Sequence, residues 1–425
     1  MEKVVNRLFR GDKVIWLIFA LLCVVSVVEG FSAMGQLSYK SGNYWTPIIE
    51  HTVFLLIGLA AMLLIQNIPY RFFSFLIVVL PFAFLLLIYT MLFGVEVNGA
   101  RRWVRIFGFS LQSSEIAKLA LMVSVAFLLS KRTKENAAKI FYWIIGITAL
   151  ICGVIFKDNA STAAFLFALI LLMLIIGRLE VKKIMVAIVV LVFVWVGLYK
   201  IGVYYLDEDN KDKSPKITVA VKDSRIPTLV TRTDAFFFDE KMPLDSTYQI
   251  NDAYQVSHAK IAVARGGLFG RFPGNSQQRD FLPYPYSDFI YVIILEEIGL
   301  LGGIFVMFLF FFLLFRIGLL AGRCKRSFAR YLLYGCGLIL VMQALANMAV
   351  AVNIMPVTGQ PLPLISRGGT SIVITCIYLG IILSVSRFEI GLGEDIEVSE
   401  ESNEDIMAEK VSDSELLTPE QEDNA

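Results

Sequence analysis

At 425 residues, 57% hydrophobic and 13% aromatic, with a mean hydropathy of +0.68, the chain is too apolar for a soluble globule and reads as a polytopic membrane protein. A formal net charge of +1 hides a segregation, with lysine and arginine in short connections and acids crowded after Gly393, and nothing in it calls for nucleic acid. The five cysteines (Cys23, Cys152, Cys324, Cys336, Cys376) lie in apolar runs or a short basic loop, so no disulfide framework is implied, and the only two histidines, His51 and His258, offer no zinc ligand set.

The opening Met1–Lys13 and its apolar continuation mimic a secretory signal. No small-residue cleavage site follows cleanly and many apolar runs come after, so the segment reads as an uncleaved first span. Runs long enough to cross the hydrocarbon begin near Val14, Ile49, Phe72, Leu111, Ile140, Ala160, Ile184, Asp288, Tyr331 and Gly369. They predict an all-α integral membrane fold of about ten transmembrane helices. Basic residues recur on every second connection: Lys3 to Lys13, Arg71, Lys131 to Lys134, Arg178 to Lys183, Arg323 to Arg330, and Arg387. That side is therefore expected to be cytoplasmic, with both termini on it.

Three connections then share the outer side, roughly 95–110, 206–287 and 353–368. The first carries Arg101, Arg102 and Arg105 against the positive-inside trend, which points to an anionic ligand; anchoring of an interfacial helix beside Trp103 is the alternative. The second is a large extracytoplasmic loop between the seventh and eighth helices. Within it Ala253–Ala264, followed by Gly266-Gly267, predicts an amphipathic helix with a glycine stop. The third is too rich in Pro and Gly for regular structure and must be buried or line a cavity.

Ionisable groups inside the apolar runs cost roughly 2.5–3.5 kcal/mol each at a helix centre, so Asp288, Glu296 and Glu297 are candidate functional residues. Glu115 and Lys118, three apart, share a helix face, and with Asp158 at the start of the sixth run they predict an intramembrane charged network. The network has a structural reading, clamping helices four to six, beside a functional one. Asp288 is either a base at the membrane surface or the cap of the eighth helix. The acid-rich segment 394–425 is expected to be a disordered cytoplasmic tail, leaving 1–393 as the membrane domain.

Three stretches, NGARRWVRIFGFSLQSSEIAK (98–118), ARGGLFGRFPGNSQQRDFLPYPYSDFIYVIILEEIGLLGG (264–303) and NIMPVTGQPLPLISRGGTS (353–371), resemble the SEDS family of shape, elongation, division and sporulation proteins, which includes FtsW and RodA. The resemblance runs in order from residue 12 to 390, and the Gly274-Asn275-Ser276 triplet is more like the division-type FtsW branch. It implies a ten-span peptidoglycan glycosyltransferase of the bacterial cytoplasmic (inner) membrane. Such an enzyme polymerises lipid II during cell division, with a class B penicillin-binding protein as transpeptidase partner, other divisome proteins nearby and membrane lipids around it.

The resemblance also implies site residues. Asp288 matches the outer aspartate needed for polymerisation and Trp103 the tryptophan of the first motif, while Glu115, Lys118 and Asp158 match the intramembrane charged set. For a substrate of that kind, Trp103 and Ser366 are candidate substrate-binding residues, and the charge of Arg101, Arg102, Arg105, Arg265, Arg279 and Arg367 makes them candidates for neutralising its pyrophosphate. No tightly bound cofactor is implied, and a divalent cation is left open. Departures are Ser113-Ser114-Glu115 for Pro-Ser-Glu, Lys157-Asp158-Asn159 for Gln-Pro-Asp, Phe272 for glycine and Arg367 for tyrosine. Two other classes stay open: a lipid II flippase, with Glu29, Glu115, Lys118 and Asp158 along a polar path, and a noncatalytic division scaffold.

Overall fold

The computed structural model describes residues 9–35, 37, 42–43, 45–97, 100–106, 109–209, 230, 233, 252–282 and 284–390. The expected tail 394–425 and most of the loop expected at 206–287 lie outside the described residues.

Helix α1 (Lys13–Ala33) starts at Asp12, whose carboxylate accepts the main-chain N–H groups of Val14 and Ile15 at 3.0 and 3.2 Å, answering two of the four donors a helix start leaves open. Asp12 also pairs with Arg316 at 2.6 Å and donates its own N–H to Ser386 Oγ at 3.0 Å, so the start of α1 is fastened to a residue 374 positions on. Helix α2 (Thr46–Ile65) carries Pro47 in its first turn, where the missing N–H costs nothing. A 3₁₀ turn over Tyr70–Phe75 leads into α3 (Leu76–Phe93).

The first outer connection is not helical. Strands β1 (Val95–Val97), β2 (Ala100–Ile106) and β3 (Phe109–Gln112) form an antiparallel meander, with Trp103 opposite Val95 and Gln112. The expected all-α integral membrane fold holds, and this small sheet decorates one of its outer connections. Its cause is local: β2 alternates Arg101, Trp103 and Arg105 with Arg102, Val104 and Ile106, a period-2 pattern that suits a pleated strand.

Helices α4 (Ser113–Ser130), α5 (Ala137–Asp158), α6 (Ala160–Ile176) and α7 (Val181–Asp209) follow. After the long loop come α8 (Asp252–Gly266), α9 (Ile290–Glu297), α10 (Gly299–Arg323), α11 (Ser327–Ala351) and α12 (Thr370–Val385), which ends in a π turn over Ser386–Ile390. Among the described residues nine helices are long and apolar enough to cross a membrane, and α6, with 17 residues, makes a shorter tenth. About ten spans were expected, and α8 ends at the expected glycine pair, with Gly267 at φ +55°.

The spans divide by what surrounds them. In α4 and in Thr370–Glu389, 78% of the apolar window is buried, and in α11 72%, whereas for Val181–Tyr204 the figure is 6%. Three central helices therefore carry the packed core, and α7 faces outward along nearly its whole length. Polar residues follow this division: Glu115 and Lys118 on α4, and Gln343 and Asn347 on α11, are all buried where protein partners can reach them. Lys118 Nζ lies 2.6 Å from Glu115 Oε1 and 3.4 Å from Gln343 Oε1.

The eighth run is not one helix. Expected to span from Asp288, it breaks at Ile298 into the wholly buried α9 and the spanning α10, with Gly299 in the left-handed region at φ +79°. Leu300 and Leu301 N–H groups, which the break leaves without helical acceptors, donate to the carbonyls of Gly267 and Leu268 at 2.9 and 3.3 Å. Gly266, Gly270 and Gly299 let these two backbones touch, since a Cβ at any of them would overlap main-chain atoms of the other segment.

Two predictions follow from this packing. Gly299→Ala should lower the thermal midpoint of the purified protein, because the left-handed conformation alone costs about 1–2 kcal/mol and the overlap adds to it. Gly146→Ala, inside α5 and with its Cβ in open space, should not lower the midpoint. Lys118→Met should destabilise by about 3–5 kcal/mol by stranding buried Glu115, and the double change Glu115→Gln with Lys118→Met should recover most of that loss. A single Lys118→Met chain as stable as wild type would mean that the pair is not buried together.

Candidate functional site

Two irregular segments, 284–289 and 353–369, interlock at the end of the bundle where α4 begins and α11 ends. Asn347, near the end of α11 and 1% exposed, donates both to Asp288 O at 2.9 Å and to Gln360 O at 2.8 Å. Ser366 Oγ donates to Ser287 O at 2.6 Å and accepts Leu362 N–H at 2.7 Å, while Arg367 N–H donates to Tyr286 O at 2.8 Å. Asp288 is thus fixed through the main chain on both sides.

Its side chain remains half-buried, with Ser287 Oγ donating to Asp288 Oδ1 at 3.1 Å. Gly359, at φ +66°, lies on the Oδ2 side, where even a Cβ would sit 3.6 Å away. Tyr284 at φ +55° and buried Leu364 at φ +66° adopt left-handed backbone that bulky residues seldom occupy, and such strain collects at functional sites. Burial raises the phenol of Tyr286 above its ordinary pKa against the pull of Arg367, so it stays neutral. Asp288 does not cap the spanning helix: it precedes the short α9, whose N-cap is Phe289 without a side-chain cap.

The loop 353–369 is held from all sides. Ser26 Oγ of α1, 2.8 Å from His51 Nε2, donates to Leu364 O at 2.7 Å; Gln360 Nε2 donates to Thr162 Oγ1 of α6 at 2.6 Å; Gln343 Nε2 donates to Pro361 O at 3.0 Å. Through Gln343 the loop joins the Glu115–Lys118 pair, so the charged pair and Asp288 belong to one polar assembly. Asn347, Gln343 and Gln360 were not singled out from the sequence. Two amides four residues apart in the apolar run of α11 were the available signal, because polar side chains inside spans seek partners.

Asp158 takes a different place from the one expected. It ends α5 rather than opening α6, and its carbonyl accepts two bonds from Arg102, at 3.1 Å from Nε and 2.7 Å from Nη2. The cap of α6 is Asn159, whose Oδ1 accepts Thr162 N–H at 3.1 Å. Asn159 is also the third position of the triplet that replaces Gln-Pro-Asp.

The outer arginines separate into different environments. Arg101 donates to Leu92 O at 3.0 Å and Arg102 clamps α5, whereas Arg105 is exposed on the strand face shared with half-buried Trp103. Arg367 reaches Glu50 Oε2 at 2.5 Å and stacks over Tyr286 at 5.8 Å. Arg265 is exposed at the end of α8, and Arg279 is half-buried with its Nη1 2.9 Å from Ser32 Oγ.

Glu296 and Glu297, both fully buried, do not line the site; they hold a loop. Glu297 accepts Gly274 and Ser276 N–H at 2.9 and 3.0 Å and the hydroxyl of Ser32, and Glu296 accepts Gln277 and Gln278 N–H, both at 3.2 Å, and Ser276 Oγ. Each carboxylate is thus answered by main-chain amides and a hydroxyl rather than by a counter-charge. Glu29, equally buried, has no hydrogen-bond partner on either oxygen among the described residues. Among the same residues no cluster of three or more His, Cys, Asp or Glu is placed to hold a metal ion.

The chain is similar to several known proteins. Proteins named "Probable peptidoglycan glycosyltransferase FtsW" from Marinomonas mediterranea and Pseudomonas fluorescens are 28% and 29% identical, covering 91% and 85% of this chain and 89% and 84% of theirs. A solved peptidoglycan synthase complex superposes with a TM-score of 0.68 at 23% identity, covering 89% of this chain and 98% of that one. The Thermus thermophilus rod shape determining protein RodA does so with 0.59 at 22% identity, covering 89% and 97%. The family model FTSW_RODA_SPOVE, described as cell cycle protein, matches residues 12–390, which takes in every span and all three outer motifs. The chain therefore belongs to the FtsW/RodA/SpoVE family of cell cycle proteins.

Proposed function

We propose that this chain is a peptidoglycan glycosyltransferase of the bacterial inner membrane, polymerising lipid II for cell division, with Asp288 as its general base. The observation that carries the assignment is the fixing of Asp288: its main chain is anchored by α11 and by loop 353–369, while its carboxylate stays partly open. Both termini and the basic connections face the cytoplasm, residues 1–393 act as one membrane domain, and Asp288 works at the outer surface, where the disaccharide of lipid II lies.

In the reaction an acceptor sugar hydroxyl gives its proton to the Asp288 carboxylate. Its oxygen bonds to the anomeric carbon of the donor, and the bond from that carbon to pyrophosphate breaks. The departing isoprenoid pyrophosphate carries the charge away, so cations near it lower the barrier. Arg105 is the arginine best placed for that work, exposed on the same strand face as Trp103 and without a protein partner among the described residues. Arg102 supports the site from beneath, through α5. A class B penicillin-binding protein joins the strands made here, in line with the synthase complex of similar fold. The flippase reading asks for a polar path at mid-membrane, whereas Glu115 and Lys118 are paired in packed protein.

Asp288→Asn, which keeps shape and removes the base, should reduce polymerisation of purified lipid II by about 10²–10⁴-fold while thermal stability and partner binding stay intact. Glycan made by that variant at the wild-type rate would rule out Asp288 as the base. Arg105→Ala should raise the Michaelis constant for lipid II with an unchanged thermal midpoint, and Arg105→Lys should recover only part of the loss, because an ammonium cannot replace a bidentate guanidinium. Arg102→Ala should instead lower the midpoint, through a stability loss of about 1–3 kcal/mol for an abandoned carbonyl. Equal kinetic effects without any stability change at Arg102 would place both arginines on the substrate.

A further inference from the structure

A cavity of about 330 Å³ opens at the far end of the bundle from Asp288, lined mainly by Ser130, Arg132, Thr133, Lys134, Ser327 and Tyr331. Asn347, which holds Asp288, and Ser327 lie at opposite ends of α11, twenty residues apart, or about 30 Å at 1.5 Å per residue. The two places are a hydrocarbon thickness apart, so the cavity has no part in the polymerisation chemistry.

Its walls are built for an oxyanion. The 131–136 connection is stiffened by a reciprocal cap: Thr133 N–H donates to Asn136 Oδ1 at 2.7 Å, Asn136 N–H donates to Thr133 Oγ1 at 3.3 Å, and Asn136 Nδ2 donates to Lys131 O at 3.1 Å. That leaves the Thr133 hydroxyl proton available. Arg132 is oriented by a bond from Nη1 to Gly177 O, with the rest of its fork unspent, and Lys134 is exposed with no ion pair among the described residues. Across the cavity, α11 begins without a side-chain cap, and the Ser327 hydroxyl has no partner among those residues. Two cations with several hydroxyl donors suit the many acceptor oxygens of a phosphate.

The surroundings supply the rest of the ligand. Phe127 and Phe328 pack edge to face at 6.0 Å, with Lys131 Nζ 5.5 Å from the Phe127 ring, so aromatic surface adjoins the basic lining. Tyr142 and Trp143, in the second turn of α5, are 64% and 58% exposed, as aromatic side chains are at headgroup depth. A cation-lined cavity between helix ends at that depth fits a lipid headgroup. We propose that this cavity binds the phosphate of an anionic phospholipid in the leaflet opposite Asp288, which is the cytoplasmic one in the orientation proposed above.

The test uses the full chain in neutral detergent, with retained lipid counted by native mass spectrometry after titration with dioleoyl phosphatidylglycerol or dioleoyl phosphatidylcholine. Wild-type protein should favour phosphatidylglycerol, and Lys134→Glu should reduce that preference by about fivefold, the size of one lysine's attraction to anionic lipid. Lys139→Glu, an equal charge change at an exposed residue outside the cavity, should retain it. Neither variant should alter lipid II polymerisation. Three outcomes would overturn the proposal: no preference in wild type, equal losses in both variants, or displacement of the lipid by millimolar inorganic phosphate as readily from Lys134→Glu as from wild type.

Discussion

One amide group does more to define this molecule than any apolar contact: the Asn347 side chain, buried at the end of α11, which bridges the carbonyls of Asp288 and Gln360. Irregular backbone at membrane depth survives only where its polar groups find partners within the protein. Loop 353–369, with its prolines and glycines, has no helical ladder of its own; Ser26, Gln343 and Asn347 answer its carbonyls, and its side chains Gln360 and Ser366 reach Thr162 and Ser287. The central helices consequently carry amides and hydroxyls that a lipid-facing helix could not. Their burial and the order of the loop are two sides of one constraint.

Charge is handled by the same means. Glu115 and Lys118 cancel as a pair, whereas Glu296 and Glu297 are stabilised by main-chain amides of the 274–278 turn, so removing a neighbouring cation would not strand them. Acids at the break between α9 and α10 therefore fasten the last described part of the long outer loop to the bundle. The segment 276–282 ends six residues before Asp288, so this fastening constrains where the chain enters the site.

Much of this was legible in the sequence, and the gaps have physical reasons. Span count followed from the length of apolar runs, because the bilayer imposes one threshold on all of them. The break at Ile298 was hidden because 289–298 is as apolar as the helix that follows; only Gly299, with Gly302 and Gly303 behind it, marked it. The sheet was missed although Asn98-Gly99 after the alternating Val95-Glu96-Val97 is a hairpin signature and the arginines alternate across β2. That alternation also separates Arg102 from Arg101 and Arg105, three residues a linear reading treats alike. Partners far apart in sequence, such as Ser276 with Glu297 or Gln360 with Thr162, leave no local trace at all.

The fastening of Asp12 to Ser386 spans 374 positions. At a synthesis rate of about 5–20 residues per second, the first helix waits about 20–75 s before its final neighbour exists. Through most of that interval α1, which carries buried Glu29, waits without α9, whose Glu297 acts on Glu29 electrostatically in the finished bundle. Biogenesis of this chain thus has a built-in vulnerable period, and an insertase that shelters one acidic helix would cover it.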